Sequence, residues 1–263
     1  MPARPAVLLA IAGIAFLVAG VILTVALAGG SLSPRPAPTP EPSYARPAAP
    51  PAVAMDAPVV DATVGTADSL ASVSTLVDPV WLATTSARTG IPARALAAYA
   101  GAAIAKARAM PQCGISWNTL AAIGWVESKH GTHGGSRVTA SGAVRPAIYG
   151  PSLTGDGTEH IPDSDDGRFD RDKEYDRAMG PMQLIPQTWR NWRTDGSGDG
   201  KRDPQNIDDA TMAAANYLCR ATQDAVGEPD MVTTAGWQGG IRAYNPAPSY
   251  LHAVARAAIE YGR

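Results

Sequence analysis

The sequence predicts an all-α domain over residues 78–263, carried behind an N-terminal apolar segment and a proline-rich spacer. Three observations predict it. Segments with apolar residues at helical spacing recur between capping residues from Asp78 to Tyr261. No convincing β-hairpin interrupts them, although one long irregular stretch has room for a small one. Phenylalanine is nearly absent, with two copies, so a core must rest on Ala, Leu, Ile, Val and six tryptophans. The formal net charge of −2 supplies no global basic field to attract nucleic acid.

Ala6 to Ala28 form an uncharged apolar run preceded by Arg4, long enough to span a bilayer. A signal peptide's apolar core is shorter, about 7–15 residues. Residues 1–30 are therefore read as a retained anchor with a cytoplasmic N-terminus. Ala26-Leu27-Ala28 keeps open the alternative, cleavage of a signal segment and secretion. The expected localisation is the cell membrane, single-pass, with the folded domain extracytoplasmic. No cysteine follows the run, so a lipidated cysteine is excluded there. Residues 31–77, rich in Pro and Ala, hold too little large apolar surface to fold and read as a disordered, polyproline-like linker. The weakly alternating stretch from Val59 to Val77 is included in it. Export makes the two cysteines, Cys113 and Cys219, a disulfide candidate; two buried free thiols are the alternative.

The domain should open at Asp78-Pro79, an N-cap residue followed by proline at the first helical position. That helix runs to Arg88 and ends at Gly90. Pro92 opens a second over Ala93–Met110, with basic residues near its end. Ser116 caps a third, Trp117–Ser128, whose last turn carries Glu127. Thr132–Arg177 shows no period and is rich in Gly, Asp, Pro and Ser; a stretch of that length in a compact domain is functional or disordered. Helical signals return at Pro186–Trp192, Asp208–Val226, Pro229–Trp237 and Pro248–Tyr261. A Cys113–Cys219 bridge would close a long loop, worth roughly 4–5 kcal/mol in the chain-entropy model.

Few residue sets carry chemistry. Glu127 ends an apolar run and is followed by a glycine break at Gly131. A carboxyl half in an apolar wall and half in a cleft keeps its proton near neutral pH and can donate it. On composition alone, an ordinary surface glutamate explains it equally well. From Asp195, oxygen-bearing side chains recur at loop positions one, three, five and nine (Asp195, Ser197, Asp199, Asp203), with Gly200 at six and the Lys201 carbonyl at seven. That is the ligand spacing of an EF-hand-type calcium loop. It departs at position twelve, where Asn206 replaces a bidentate Glu, though Asp208 and Asp209 lie just beyond. A structural Ca2+ of weak affinity is expected, against a plain Gly/Asp-rich turn. The run Asp163–Asp172 fits a loop less well and reads as solvated acidic surface. Glu127 and His130 make a single Glu-x-x-His pair, where di-iron bundles need two. No H-E-x-x-H, G-x-S-x-G or phosphate-binding glycine loop is present, so metalloprotease, serine hydrolase and nucleotide chemistry lose support.

Four segments in order resemble lytic transglycosylases of lysozyme-like fold. Glu127-Ser128-Lys129-His130-Gly131 resembles their catalytic E-S/T-x-x-G segment. Ala178–Trp189 (AMGPMQLIPQTW) is similar to A-x-G-x-x-Q-F-x-P-S-T-W. Asp195–Leu218 resembles the calcium-loop-plus-helix segment of the membrane-bound type B subfamily, and Ala243-Tyr244-Asn245 matches the A-Y-N segment. The likeness spans roughly residues 91–263, and the long insertion resembles that of actinobacterial members.

The resemblance implies a goose-type or soluble-lytic-transglycosylase-like helical domain with a long loop insertion. It implies Glu127 as the single catalytic acid/base, Gln183 and Asn245 hydrogen-bonding substrate, and Tyr217 and Tyr244 lining the sugar cleft. The Ca2+ ligands would be Asp195, Ser197, Asp199, Lys201 and Asp209, the last favoured over Asp208. The substrate would be peptidoglycan, cut between N-acetylmuramic acid and N-acetylglucosamine with 1,6-anhydromuramoyl ends, by a monomer that needs no organic cofactor. A hydrolytic muramidase on the same fold and a non-catalytic wall-binding scaffold are the rival readings.

Overall fold

A computed structural model describes residues 71–263. The expected anchor and nearly all of the expected linker lie outside the described residues. Among the described residues no helix is long and apolar enough to cross a membrane.

The linker was expected to reach Val77, but folded structure begins at Ser72. Val73–Leu76 form a 3-10 turn capped by the Ser72 hydroxyl, and Val73 and Val77 are buried. The Val73 amide donates to the Gly196 carbonyl at 2.9 Å. A Cβ at Gly101 would lie 2.0 Å from the Val73 carbonyl oxygen, so only glycine admits this contact. Two valines four residues apart supply the apolar face that the weak alternation concealed.

Helix α1 (Pro79–Thr89) starts where expected. The Asp78 carboxylate accepts from the Trp81 amide at 2.7 Å, and Gly90 ends the helix in left-handed conformation. Helix α2 (Ala93–Ala109) is buried over most of its length, its alanines letting α1, α3 and α5 approach closely. Helix α3 (Trp117–Ser128) packs against α2 and α7. Ser116 precedes it but makes no backbone cap; its hydroxyl pairs with that of Thr119 at 2.9 Å. Helices α4 (Pro186–Trp192), α5 (Ile207–Val226), α6 (Thr234–Tyr244) and α7 (Pro248–Tyr261) complete the helical body. Disulfide Cys113–Cys219 ties the turn before α3 to α5 across 106 residues of sequence.

Helix α6 departs from the expected Pro229–Trp237. Asp230 accepts from the amides of Val232 and Thr233, and Met231 donates to the Cys113 carbonyl, which fixes Pro229–Val232 as a turn. Thr233 is the true N-cap, and the helix continues through Gly239-Gly240 to Tyr244.

The irregular insertion contains short strands. β1 (Arg137–Val138) pairs antiparallel with β2 (Val144–Arg145), and β3 (Tyr149–Ser152) with β4 (Arg177–Met179). The all-α expectation thus describes the body, while these strands form an appendage inserted between α3 and α4.

Candidate active site

Glu127 stands on the last turn of α3, half-buried. Lys129, His130 and Gly131 follow with φ of 53°, 60° and 79°, so the chain turns away sharply after the helix. Ser128 staples this turn to its neighbour. Its hydroxyl donates to the Pro181 carbonyl at 2.6 Å and accepts from the Gly131 amide at 2.8 Å. The E-S-x-x-G pattern is therefore a local device: the serine locks the reversal that the glycine permits, beside the Gly180–Gln183 turn.

That turn is equally constrained. Met179 and Leu184 exchange backbone hydrogen bonds across it, at 3.0 and 3.1 Å. A Cβ at Gly180 would meet the Pro204 carbonyl oxygen at 1.8 Å. Gln183 adopts φ of 49°, and its Nε2 donates to the Gly180 carbonyl at 2.8 Å. It is half-buried, on the turn stapled to α3.

Burial pushes the Glu127 carboxyl up to about 8, opposed by one hydrogen bond from the Tyr250 hydroxyl at 2.5 Å. Burial also holds Tyr250 and Tyr244 well above the usual phenol range, so both remain donors. The two tyrosine rings stack at 6.3 Å. Tyr217 lies 5.9 Å from Tyr244, and Trp192 lies 6.3 Å from Tyr217. One aromatic row thus runs from α4 to the carboxyl on α3.

Tyr217 and Tyr244 were expected to line the sugar cleft. Both are buried, and their hydroxyls are spent on the carbonyls of Ala243 and Met182. They form the wall's body rather than offering open faces. Asn245 is fully buried; its Oδ1 accepts from the Ala247 amide, and its Nδ2 has no protein partner. A buried amide donor without a partner is costly, and is suited to a ligand oxygen.

Tyr250 was missed from sequence. It lies 123 residues from Glu127, and no spacing links them. His130 was weighed only as a metal ligand. It is buried between the hydroxyls of Tyr99 and Tyr261, at 3.2 and 3.1 Å. Burial, with Lys129 nearby, pushes its imidazole down to about 4, so it packs as a neutral ring.

The acidic loop is folded on its own carboxylates. Asp195 accepts from the amides of Gly198, Asp199 and Gly200, and Asp199 from that of Lys201. Asp209 reaches back from α5 to the amides of Gly196, Ser197 and Asp203, at 2.8–2.9 Å. Asp208 is turned away, paired with Arg94 and Ser72. Asp195, Ser197, Asp199, Asp209 and the Lys201 carbonyl are hard oxygen donors with lone pairs beyond those used, which suits a cation such as Ca2+. Yet among the described residues the acidic groups gathered within 4.8 Å are Asp163, Asp165 and Asp176, in the other loop. That run is not simply solvated surface. Asp170 and Asp176 are fully buried, accepting from the amides of Asp172 and Arg177 and from Ser164, respectively.

Residues 171–230 match the family described as the transglycosylase SLT domain. The matched stretch runs from the end of the insertion through β4, α4, the acidic loop and α5. It contains Gln183, Tyr217 and the loop carboxylates, while Glu127, Tyr244 and Asn245 lie outside it. No curated protein and no solved structure matches the chain. The match supports lytic transglycosylase activity in general, with peptidoglycan as the substrate class.

Proposed function

We propose that the chain is a peptidoglycan lytic transglycosylase that cuts the β-1,4 bond between N-acetylmuramic acid and N-acetylglucosamine, with Glu127 as its single acid and base. The observation that carries this reading is the Glu127 carboxyl at the end of α3, pushed up to about 8 by burial and hydrogen-bonded by the Tyr250 hydroxyl. Such a group donates a proton at neutral pH. In the first step the Glu127 proton passes to the glycosidic oxygen. The C1–O bond breaks, its electrons leave with the N-acetylglucosamine oxygen, and the substrate's N-acetyl group stabilises the cation at C1. Glu127, now ionised, takes the proton from the muramoyl C6 hydroxyl as that oxygen attacks C1. The product ends in a 1,6-anhydromuramoyl ring, no water is consumed, and Glu127 recovers its proton. Gln183 and Asn245 would orient the sugar through their amides.

Hydrolysis with two carboxyl groups needs a second one within about 5–10 Å of the first, whereas the transglycosylase reaction asks only for Glu127. Digestion of purified peptidoglycan, read by mass, tests the proposal. The wild-type chain should release anhydro-muropeptides, and Glu127→Gln should lower release by about 10²–10⁴-fold. Products heavier by one water indicate a muramidase, and binding without turnover indicates a scaffold.

The acidic loop is proposed as a structural Ca2+ site formed by Asp195, Ser197, Asp199, the Lys201 carbonyl and Asp209. Its donor chemistry and the N–H bonds that preshape its turn support this. Calcium at ten times its Kd should stabilise the chain by about 1.4 kcal/mol, and a chelator should reverse the gain; an unchanged melting temperature eliminates the site. The apolar N-terminal run, the spacer and the disulfide together favour an extracytoplasmic domain on a membrane anchor, or a secreted one after cleavage.

A further inference from the structure

A second site lies at the far end of the aromatic row. A cavity of about 360 Å³ opens between the ends of α2 and α4 and one face of α5. Lys106, Arg193 and Arg220 line it together with Asn191 and Asn216, and no aspartate or glutamate does. Lys106 is only 6% exposed. Its Nζ donates to the Asn216 Oδ1 at 3.2 Å, and among the described residues no carboxylate pairs with it. Arg193 likewise has no ion pair there; its guanidinium lies 5.8 Å from the Phe169 ring. Arg220 is exposed and shares its charge with Asp224 at 2.5 Å.

Each cation has a local reason to exist. Lys106 and Arg193 stand at the carbonyl ends of α2 and α4, where positive charge is favourable. Local reasons do not explain why these ends converge on one acid-free cavity in a chain of net charge −2. A buried cation whose partners are one amide oxygen and, at 4.0 Å, the Met110 sulfur is costly, and an anion would remove that cost. The floor is rigid, because Cys219 lines it and its disulfide ties α5 to the turn before α3.

Trp192 lines the same cavity and begins the row Tyr217, Tyr244, Tyr250 that ends on Glu127. The substrate proposed above carries short peptides whose ends are carboxylates. We propose that this cavity binds a carboxylate of a peptide borne by the glycan strand, with Arg193 and Lys106 as its cationic contacts. An arginine fork matches a carboxylate with two parallel hydrogen bonds, and a lysine adds a point charge.

This inference rests on the peptidoglycan reading, but its test requires no turnover. The probe is the free stem peptide, titrated calorimetrically into the full chain at low ionic strength, where such contacts are least screened. Saturable binding is expected. It should weaken at least tenfold when the peptide carboxylates are esterified, and at least tenfold in Arg193→Gln and in Lys106→Met. Arg193 is half-buried, so its variant decides the matter should the buried lysine's replacement fail to fold. Absence of binding, equal binding of the ester, or unchanged affinity in Arg193→Gln overturns the proposal. Saturation by inorganic phosphate without saturation by the peptide overturns the carboxylate assignment. If the chain cleaves no peptidoglycan but still binds the peptide, the proposed activity fails and the cavity stands; cleavage without peptide binding removes the cavity alone.

Discussion

Glu127 and Asp209 are both enclosed carboxyl groups, and they sit at opposite kinds of helix end. Glu127 is on the last turn of α3, where unpaired carbonyls gather; Asp209 is on the first turn of α5, where unpaired amides gather. Burial raises both, Glu127 to about 8 and Asp209 to about 6. Three backbone amides answer Asp209, from Gly196, Ser197 and Asp203. A single phenol answers Glu127. Burial sets the direction of the shift, while donors and helix polarity decide how far it goes. The first arrangement makes a carboxylate that organises a loop; the second makes an acid with a proton to give.

The largest effect should come from removing the anchor. Asp209→Ala leaves three amides without their acceptor, each worth about 1–3 kcal/mol where water cannot reach. A loss of about 3–5 kcal/mol is expected in urea unfolding at pH 7. A loss below about 1 kcal/mol would mean that the amides find other partners and that the loop does not depend on Asp209. Glu127→Gln should do the opposite, and only at high pH. The folded value of about 8 exceeds the ordinary 4.5, so the native state binds the extra proton between those values. Wild-type stability is fully present below about 4.5 and declines as pH rises to about 8, by at most about 1.4 kcal/mol per unit. The variant escapes that decline. Its melting temperature should equal the wild type's at pH 4 and exceed it at pH 8; equality at both would place Glu127 in ordinary solvent.

How much of this was legible in the sequence follows the range of the interactions. Asp78, Gly90 and the Pro248 start of α7 act within a turn of their own residue, and the helices they bound were readable. Asp230 and Thr233 also act locally, but Pro229 imitated a helix start and hid them. The β1–β2 hairpin falls in the stretch left open for a small one, whereas β3 and β4 were not readable, because they pair across the Asp-rich run rather than through a tight turn. At the candidate site, Glu127, Ser128 and Gly131 form a motif because they build one local reversal. Tyr250 belongs to no motif, since only the packing of α7 on α3 brings it to Glu127. The burial of Tyr217 and Tyr244 was not legible for the same reason: only tertiary packing encloses their rings. Spacing ranked the two acidic loops but did not show where carboxylates gather. The first has the better ligand pattern, yet three carboxylates come together in the second, where Pro162 bridges Tyr175.

The smallest effect tests whether the one phenol sets the acid strength. Tyr250→Phe keeps the ring that stacks on Tyr244 and removes only the donor to Glu127. That hydrogen bond favours the ionised carboxylate and works against burial. Without it the carboxyl should titrate higher still, by roughly one pH unit if the bond is worth about 1.4 kcal/mol. The alkaline limb of kcat/KM should move up by the same amount, because the starting enzyme needs Glu127 protonated. The rate at neutral pH should fall modestly, since a weaker acid is a poorer donor to the glycosidic oxygen. A carbon-13 titration of the Glu127 side chain reads the same shift without turnover. A downward movement would mean that Tyr250 stabilises the protonated form, and Glu127 would then owe its proton to the phenol as well as to burial.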